Sequence, residues 1–264
     1  MLTVLHGDCV ERMRRLKRGS VQMVVTSPPY DDLKTYNGFE WDFEKTAMQL
    51  HRVLCDGGIA CWNVNDSVVD GSELLTSAKQ KIFFRERCGF RIHDTMIYEK
   101  HGFSHPERSR YHSVFEYVFI LSKGAPRTFN PIKDKKNVTW GRPALGLNTF
   151  SRPDGSRIER ATQGGISEEF GMRGNVWRGL TRGQEEVCEA KAHPAMMPKW
   201  LAHDLILSWS NAGDTVLDPF AGSGTTGAQA LELGRKAILI ELKEEYLSVI
   251  KKETDVTPGF ALSA

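Results

Sequence analysis

The stretch Thr215-Val-Leu-Asp-Pro-Phe-Ala-Gly-Ser-Gly-Thr-Thr226 decides the fold. Thr215 to Phe220 reads as a strand, and Thr225 to Leu233 reads as a helix. Between them, Gly222 and Gly224 permit a tight turn in which backbone can approach a ligand closely. The first turn of the helix leaves N–H groups free for a carboxylate or a phosphate. No lysine follows Gly224, which excludes a nucleotide-binding P-loop. The next strand, Lys236-Ala-Ile-Leu-Ile-Glu241, ends on a carboxylate about 20 residues beyond the loop, where it can accept hydrogen bonds from both ribose hydroxyls of an adenosine. NAD and S-adenosylmethionine fit this arrangement equally; a bare βα turn with a solvated Glu241 is the competing reading.

Toward the N-terminus, the buried strand Val21-Gln-Met-Val-Val runs directly into Thr26-Ser27-Pro28-Pro29-Tyr30. Two prolines cannot continue a central strand. They set a rigid loop at the carboxyl end of the sheet, where α/β proteins bind ligands. The Ser27 hydroxyl and the Pro28 carbonyl are two acceptors, and Tyr30 offers a flat face for stacking. Such a set fits a nucleobase amino group. Accepting its two N–H bonds would aim the nitrogen lone pair at an electrophilic methyl, so that catalysis is mainly positioning and electrostatics.

Further strands and helices alternate around these loops. Glu44 to Leu54 has Ala47, Leu50, Val53 and Leu54 at helical spacing, Cys55-Asp-Gly-Gly ends that helix, and Ile59 to Val64 is a strand. Ser72 to Cys88 reads as a helix, Arg91 to Glu99 and Val114 to Ser122 as strands, and Glu244 to Lys252 as the last helix. This alternation predicts a largely parallel sheet covered by helices.

The 264 residues suffice for one α/β domain plus an insertion. Three regions follow from texture: 1–123, an insertion at 124–192, and 193–264. The five cysteines, Cys9, Cys55, Cys61, Cys88 and Cys188, are scattered and form no C-x-x-C pair, so neither a disulfide framework nor a zinc site is expected. No apolar run could span a bilayer and no signal peptide is visible, so a cytoplasmic location without membrane contact is expected. The net charge of +2 leaves the question of nucleic acid to local clustering. The insertion concentrates Lys133, Lys135, Lys136, Arg142, Arg173 and Arg178 among aromatic residues, either as a solvated excursion or as a nucleic-acid contact surface.

Taken together, Thr26-Ser-Pro-Pro-Tyr30 and Asp218-Pro-Phe-Ala-Gly-Ser-Gly-Thr-Thr226 resemble the DNA amino-methyltransferases. With the tetrapeptide first and the glycine loop near the C-terminus, the order is that of the β class. The resemblance implies a Rossmann-like methyltransferase sheet with helices on both faces, circularly permuted, with an inserted target-recognition region. It implies S-adenosylmethionine as cofactor and double-stranded DNA as partner, with no metal. Ser27, Pro28, Pro29 and Tyr30 would be catalytic. Asp8 and Cys9, in His6-Gly-Asp-Cys9, would lie near the cofactor adenine, and Glu241 on its ribose. Asp218, Pro219 and Phe220 would meet the methionine end together with His193 and Pro194, although a packed or capping His193 is an equal reading. Gly222, Ser223 and Gly224 would form the turn, and Thr225 and Thr226 would face the carboxylate.

The resemblance also implies base flipping and a homodimer, with residues 31–36 as a closing segment. Ser in the first tetrapeptide position leans toward cytosine N4 across the family. The longer blocks Thr26 to Phe43 and Asp94 to Ser104 look like solitary adenine-N6 members, and adenine is slightly preferred. Methylation of RNA or of a protein amide is the first competing function. A catalytically silent DNA-binding regulator is the second. An NAD-dependent dehydrogenase lacks a visible hydride-transfer site.

Overall fold

The computed structural model describes residues 1–29, 41–102, 109–143, 147–152, 154–161, 165–181, 196–254 and 261–262. Two compact units separate, Met1–Asn130 with Asn175–Ala264, and Pro131–Gly174.

The larger unit begins with β1 (Leu2–His6), α1 (Cys9–Arg15), β2 (Val21–Thr26), α2 (Phe43–Val53), β3 (Leu54–Val64), β4 (Val68–Val69), β5 (Ser72–Glu73), α3 (Thr76–Glu86), β6 (Arg91–Lys100) and β7 (Phe115–Ser122). The smaller unit holds β8 (Lys133–Lys136), β9 (Leu147–Ser151), β10 (Arg157–Ala161) and β11 (Phe170–Met172). The larger unit then resumes with β12 (Val176–Gly179), α4 (Lys199–Trp209), β13 (Thr215–Asp218), α5 (Thr225–Glu232), β14 (Lys236–Glu241), α6 (Glu244–Thr254) and β15 (Ala261–Leu262).

Nine strands form one sheet in the order β12-β6-β7-β3-β2-β13-β14-β1-β15. β7 is antiparallel to both β3 and β6, and the other neighbouring pairs are parallel. The connections through α1, α2 and α3 step toward β12, whereas those through α4 and α5 step toward β15. Right-handed crossovers put opposite steps on opposite faces. On the first face, Met13 of α1, Leu50 and Val53 of α2 and Phe84 of α3 share a buried cluster with Val24, Ala60, Trp62 and Leu121 of the sheet. Trp62 Nε1 there donates to Gln80 Oε1 at 2.8 Å, which satisfies a buried indole N–H. The stepping direction reverses between β2 and β13. That switch point is where open α/β sheets leave a crevice at their carboxyl edge. No helix among the described residues is long and apolar enough to cross a membrane.

Three local expectations need correction. Cys55-Asp-Gly-Gly does not separate helix from strand but lies within β3, whose register against β2 shifts between Val21 and Met23. The helix expected from Ser72 begins at Thr76, because Ser72 and Glu73 pair with Val68 and Val69 in a hairpin. Its turn, Asp70-Gly71, has φ of 49° and 78°, the positive pair that a tight two-residue hairpin turn requires. Asp66 then caps α3 by accepting from the Ser77 N–H at 2.8 Å. Finally, Val176–Gly179, expected within the insertion, is the edge strand of the large sheet, and Pro131–Gly174 alone forms the second unit.

Gly57 sits at the irregular start of β3 with φ +75°, and a Cβ there would meet the Ala125 carbonyl and Arg127 Cβ at 2.9 Å. Gly89, with φ +82°, faces open space. Gly89→Ala should therefore cost only the left-handed penalty of about 1–2 kcal/mol. Gly57→Ala should cost about 1–3 kcal/mol more, because packed backbone must also move. Urea unfolding of the two variants measures the difference; equal losses would remove the steric role given to Gly57.

Candidate active site

The two motif loops leave neighbouring strands. Val24 of β2 pairs with Leu217 of β13, so the loops after Thr26 and Asp218 start side by side. A hydrogen bond joins them: Thr26 Oγ1 donates to Asp218 Oδ1 at 2.7 Å. The Phe220 N–H donates to the same oxygen at 3.0 Å. Asp218 is buried, and desolvation raises its carboxyl pKa against the opposing pull of hydrogen bonds from Thr26, Thr226 and Phe220.

The glycine loop is tied to the next strand by a second carboxylate. Glu241 Oε2 accepts the Gly222 N–H at 2.8 Å, and Oε1 accepts the Lys243 N–H at 2.9 Å. Burial raises the Glu241 pKa, these two bonds lower it, and the charge of Asp218 raises it further. Gly222 and Gly224 have φ of 52° and 88°, left-handed values that suit glycine. No side chain caps α5, and Ser223, Thr225 and Thr226 are buried at its start, with Ser223 Oγ 3.1 Å from Thr225 Oγ1. On α5, a Cβ at Gly227 would come within 2.6 Å of Leu239 Cδ1, so glycine lets the helix lie close on β14.

The remaining sequence candidates fall around this frame. Ser27 and Pro29 are partly exposed and Pro28 is buried, all directly after β2. Pro219 is buried and Phe220 meets Trp41 edge-on at 5.2 Å. Asp8 is exposed and caps α1 by accepting the Glu11 N–H at 2.9 Å. The Gly7 N–H donates to the Glu241 carbonyl at 2.8 Å, which brings the His6-Gly-Asp turn against the end of β14. Cys9 points into the core, with Sγ 3.5 Å from Thr46 Oγ1, and burial pushes its thiol up to about 12. Tyr30, residues 31–36, His193 and Pro194 lie outside the described residues. Sequence reading gave no separate role to Thr26 or Trp41; Thr26 adjoins the tetrapeptide, and Trp41 carried no signal beyond its place in the block ending at Phe43. Among the described residues, no group of three His, Cys, Asp or Glu side chains could hold a metal.

In the smaller unit, a ribbon pairs β8 with β11 and continues through Asn137 N–H to Glu169 O at 2.8 Å and Ser167 N–H to Arg142 O at 2.9 Å. Lys133 pairs with Glu168 at 2.7 Å, and Arg173 with Asp134. Lys135, Lys136 and Arg142 are exposed, with no ion-pair partner among the described residues. Val138 and Trp140, at the ribbon's turn, are 97% and 57% exposed, and none of the described side chains from 131 to 174 is buried. Arg178, by contrast, stands on β12 of the larger unit and pairs with Glu99 at 2.7 Å.

Known proteins resemble this chain over most of its length. Residues 21–252 match the family described as DNA methylase, N6_N4_Mtase. The orphan methyltransferase M.BamHII of Bacillus amyloliquefaciens is 44% identical over 245 residues, covering 92% of this chain and 88% of the relative. The DNA adenine methyltransferase YhdJ of Escherichia coli K12 is 28% identical over 272 residues, covering 98% and 84%. The fold is that of TTHA0409 from Thermus thermophilus, solved in complex with S-adenosyl-L-methionine, at a TM-score of 0.63 and 24% identity over 100% and 99% of the two chains.

The raised pKa of Asp218 has a definite sign. A carboxyl that binds its proton more tightly when folded adds stability below its ordinary value of 3.8 and loses it as pH rises through the raised folded value. The stability of wild type relative to Asp218→Asn should therefore fall as pH is raised from about 4 toward neutrality. Urea titrations of both proteins without cofactor measure it; wild-type stability that rises relative to the variant as pH increases would contradict the burial of an ionisable Asp218.

Proposed function

Because the chain belongs to the N6/N4 DNA methylase family, we propose that it transfers a methyl group from S-adenosylmethionine to the exocyclic amine of a base flipped out of duplex DNA, with adenine N6 as the favoured target. The single observation that carries this reading is the Thr26–Asp218 bond, which sets the amine-binding loop and the cofactor loop against each other at the switch point. The name of the relative YhdJ favours adenine. Ser27 keeps cytosine N4 as the second reading.

The residues present fit the cofactor. The uncapped start of α5 offers N–H groups to its carboxylate. Each Glu241 oxygen accepts one backbone N–H and retains a lone pair for a ribose hydroxyl. Buried Asp218 favours a cationic ligand beside it. When bound, S-adenosylmethionine supplies an electrophilic methyl whose carbon–sulfur bond breaks as the amine nitrogen bonds to it. Ser27 Oγ and the Pro28 carbonyl orient the amine, Tyr30 stacks on the base, and the pyramidal nitrogen gives up a proton after transfer. No strong base is required, because a methylated aromatic amine loses that proton readily. Since Glu241 is fixed by two backbone bonds, its part is to present a rigid acceptor rather than to move.

Within the smaller unit, Lys135, Lys136 and Arg142 are assigned to DNA phosphates, and Trp140 and Val138 to apolar contact. Lys133, Arg173 and Arg178, already in ion pairs, would contribute less. A homodimer and a cytoplasmic enzyme complete this reading.

Incubation with labelled S-adenosylmethionine and mixed-sequence duplex DNA, followed by nucleoside analysis, should yield N6-methyladenine. N4-methylcytosine instead would select the second reading, and label only in RNA or protein would overturn both. Removing Lys135, Lys136 and Arg142 together should lower the slope of log affinity against log salt by about 2–3. An unchanged slope in a binding titration would take these side chains off the phosphates.

A further inference from the structure

A polar cluster outside the two motif loops shares their edge of the sheet. Asn63, Glu116 and Lys100 come from the adjacent strands β3, β7 and β6, where the parallel strands end. Asn63 is only 2% exposed. Its Nδ2 donates to Glu116 Oε2 at 2.8 Å and to the Tyr117 carbonyl at 3.4 Å. Glu116 Oε1 in turn meets Lys100 Nζ at 3.3 Å, with the Lys and Glu side chains 15% and 17% exposed. Cys61 and Ile120, the pair two residues back on the same face, are apolar and buried. Replacing a set-in ion pair by apolar side chains is often neutral or stabilising, so stability alone gives no reason for the cluster.

The register gives one. Thr26 of β2 pairs with Trp62 of β3 in parallel. Ser27 follows Thr26 directly where β2 ends, and Asn63 follows Trp62 one residue further along β3. With its amide hydrogens directed at Glu116 and Tyr117, Asn63 holds the end of β3 in one orientation and turns Oδ1 away from them. We propose that Asn63, held by Glu116 and Lys100, is a positioning residue for amine methylation, fixing the strand end beside Ser27-Pro28 and thereby the direction of the acceptors that receive the target amine. The inference rests on the amine-methylation reading above and adds a residue to its machinery. The Asn63–Glu116 contact needs one donor and one acceptor, so its polarity can be broken and restored. Asn63→Asp sets two carboxylates together, and Glu116→Gln supplies a donor again.

Steady-state methylation of duplex DNA by Asn63→Ala, Asn63→Asp, Glu116→Gln and the double variant tests this, with Tm and cofactor Kd measured on each. Misplacement of reacting groups predicts that Asn63→Ala lowers kcat by about 10- to 100-fold while KM for DNA and cofactor Kd change less than about threefold. Asn63→Asp should fall at least as far, and adding Glu116→Gln should recover about tenfold in kcat. If Asn63→Ala does not fold, Lys100→Met, which leaves Asn63 in place and loosens Glu116, should lower kcat by about three- to tenfold with KM retained. Near-normal kcat in Asn63→Ala, losses that track Tm across the set, or no recovery in the double variant would overturn the proposal while leaving methylation itself intact. A wild-type chain that methylates no DNA amine overturns the parent reading, and this one with it.

Discussion

The hydrogen bond from Thr26 to Asp218 joins residues 192 positions apart in sequence. It lies between neighbouring parallel strands at the one place where the winding of the sheet reverses. On one side the chain leaves Thr26 into a loop that cannot donate at Pro28 or Pro29. On the other it leaves Asp218 into a glycine turn. A buried carboxylate without donors would be costly, so the hydroxyl of Thr26 and the N–H of Phe220 serve local stability and the alignment of two loops together. Glu241 repeats the device one strand further on, by holding Gly222 and Lys243. The two motif loops are thereby built on a common rigid base.

Much of this was legible in the sequence, for identifiable reasons. Val21–Thr26, Phe43–Val53, Lys236–Glu241 and the strand–turn–helix around Gly222 are local patterns, in which periodicity and turn chemistry agree. The departures arise where distant partners decide. Gly57 and Gly58 look like a helix stop, yet pairing with β2 and β7 draws that segment into a strand. The Ser72 helix start lost to a hairpin because Asp66, eleven residues before Ser77, supplies the cap. β12 lies in a stretch without apolar periodicity; its membership comes from β6, which is 79 residues away for the pair Arg178 and Glu99. Asn63 gave no signal beyond being polar in an apolar strand, since only the pairing of Trp62 with Thr26 brings it beside the end of β2.

The two units solve different physical problems. The larger one buries large side chains on both faces of a sheet and can place acceptors accurately. In the smaller one, eight basic residues stand against five acidic ones from 131 to 174, a net of +3, while the whole chain carries +2. Its paired backbone holds a ribbon in shape without a buried side chain among those described. Such an element can change its surface residues at little cost to its own packing.

The two desolvated carboxylates, Asp218 and Glu241, also bear on the life of the protein in a cell. Burial raises the pKa of both, so each is ionised at a cost that a ligand bringing positive charge or hydrogen-bond donors would offset. Any ligand that binds only the folded chain adds stability in proportion to the logarithm of its concentration over its dissociation constant. Methyl-donor supply would then govern abundance as well as rate, because chains lacking the donor would open more often and be cleared sooner by proteases.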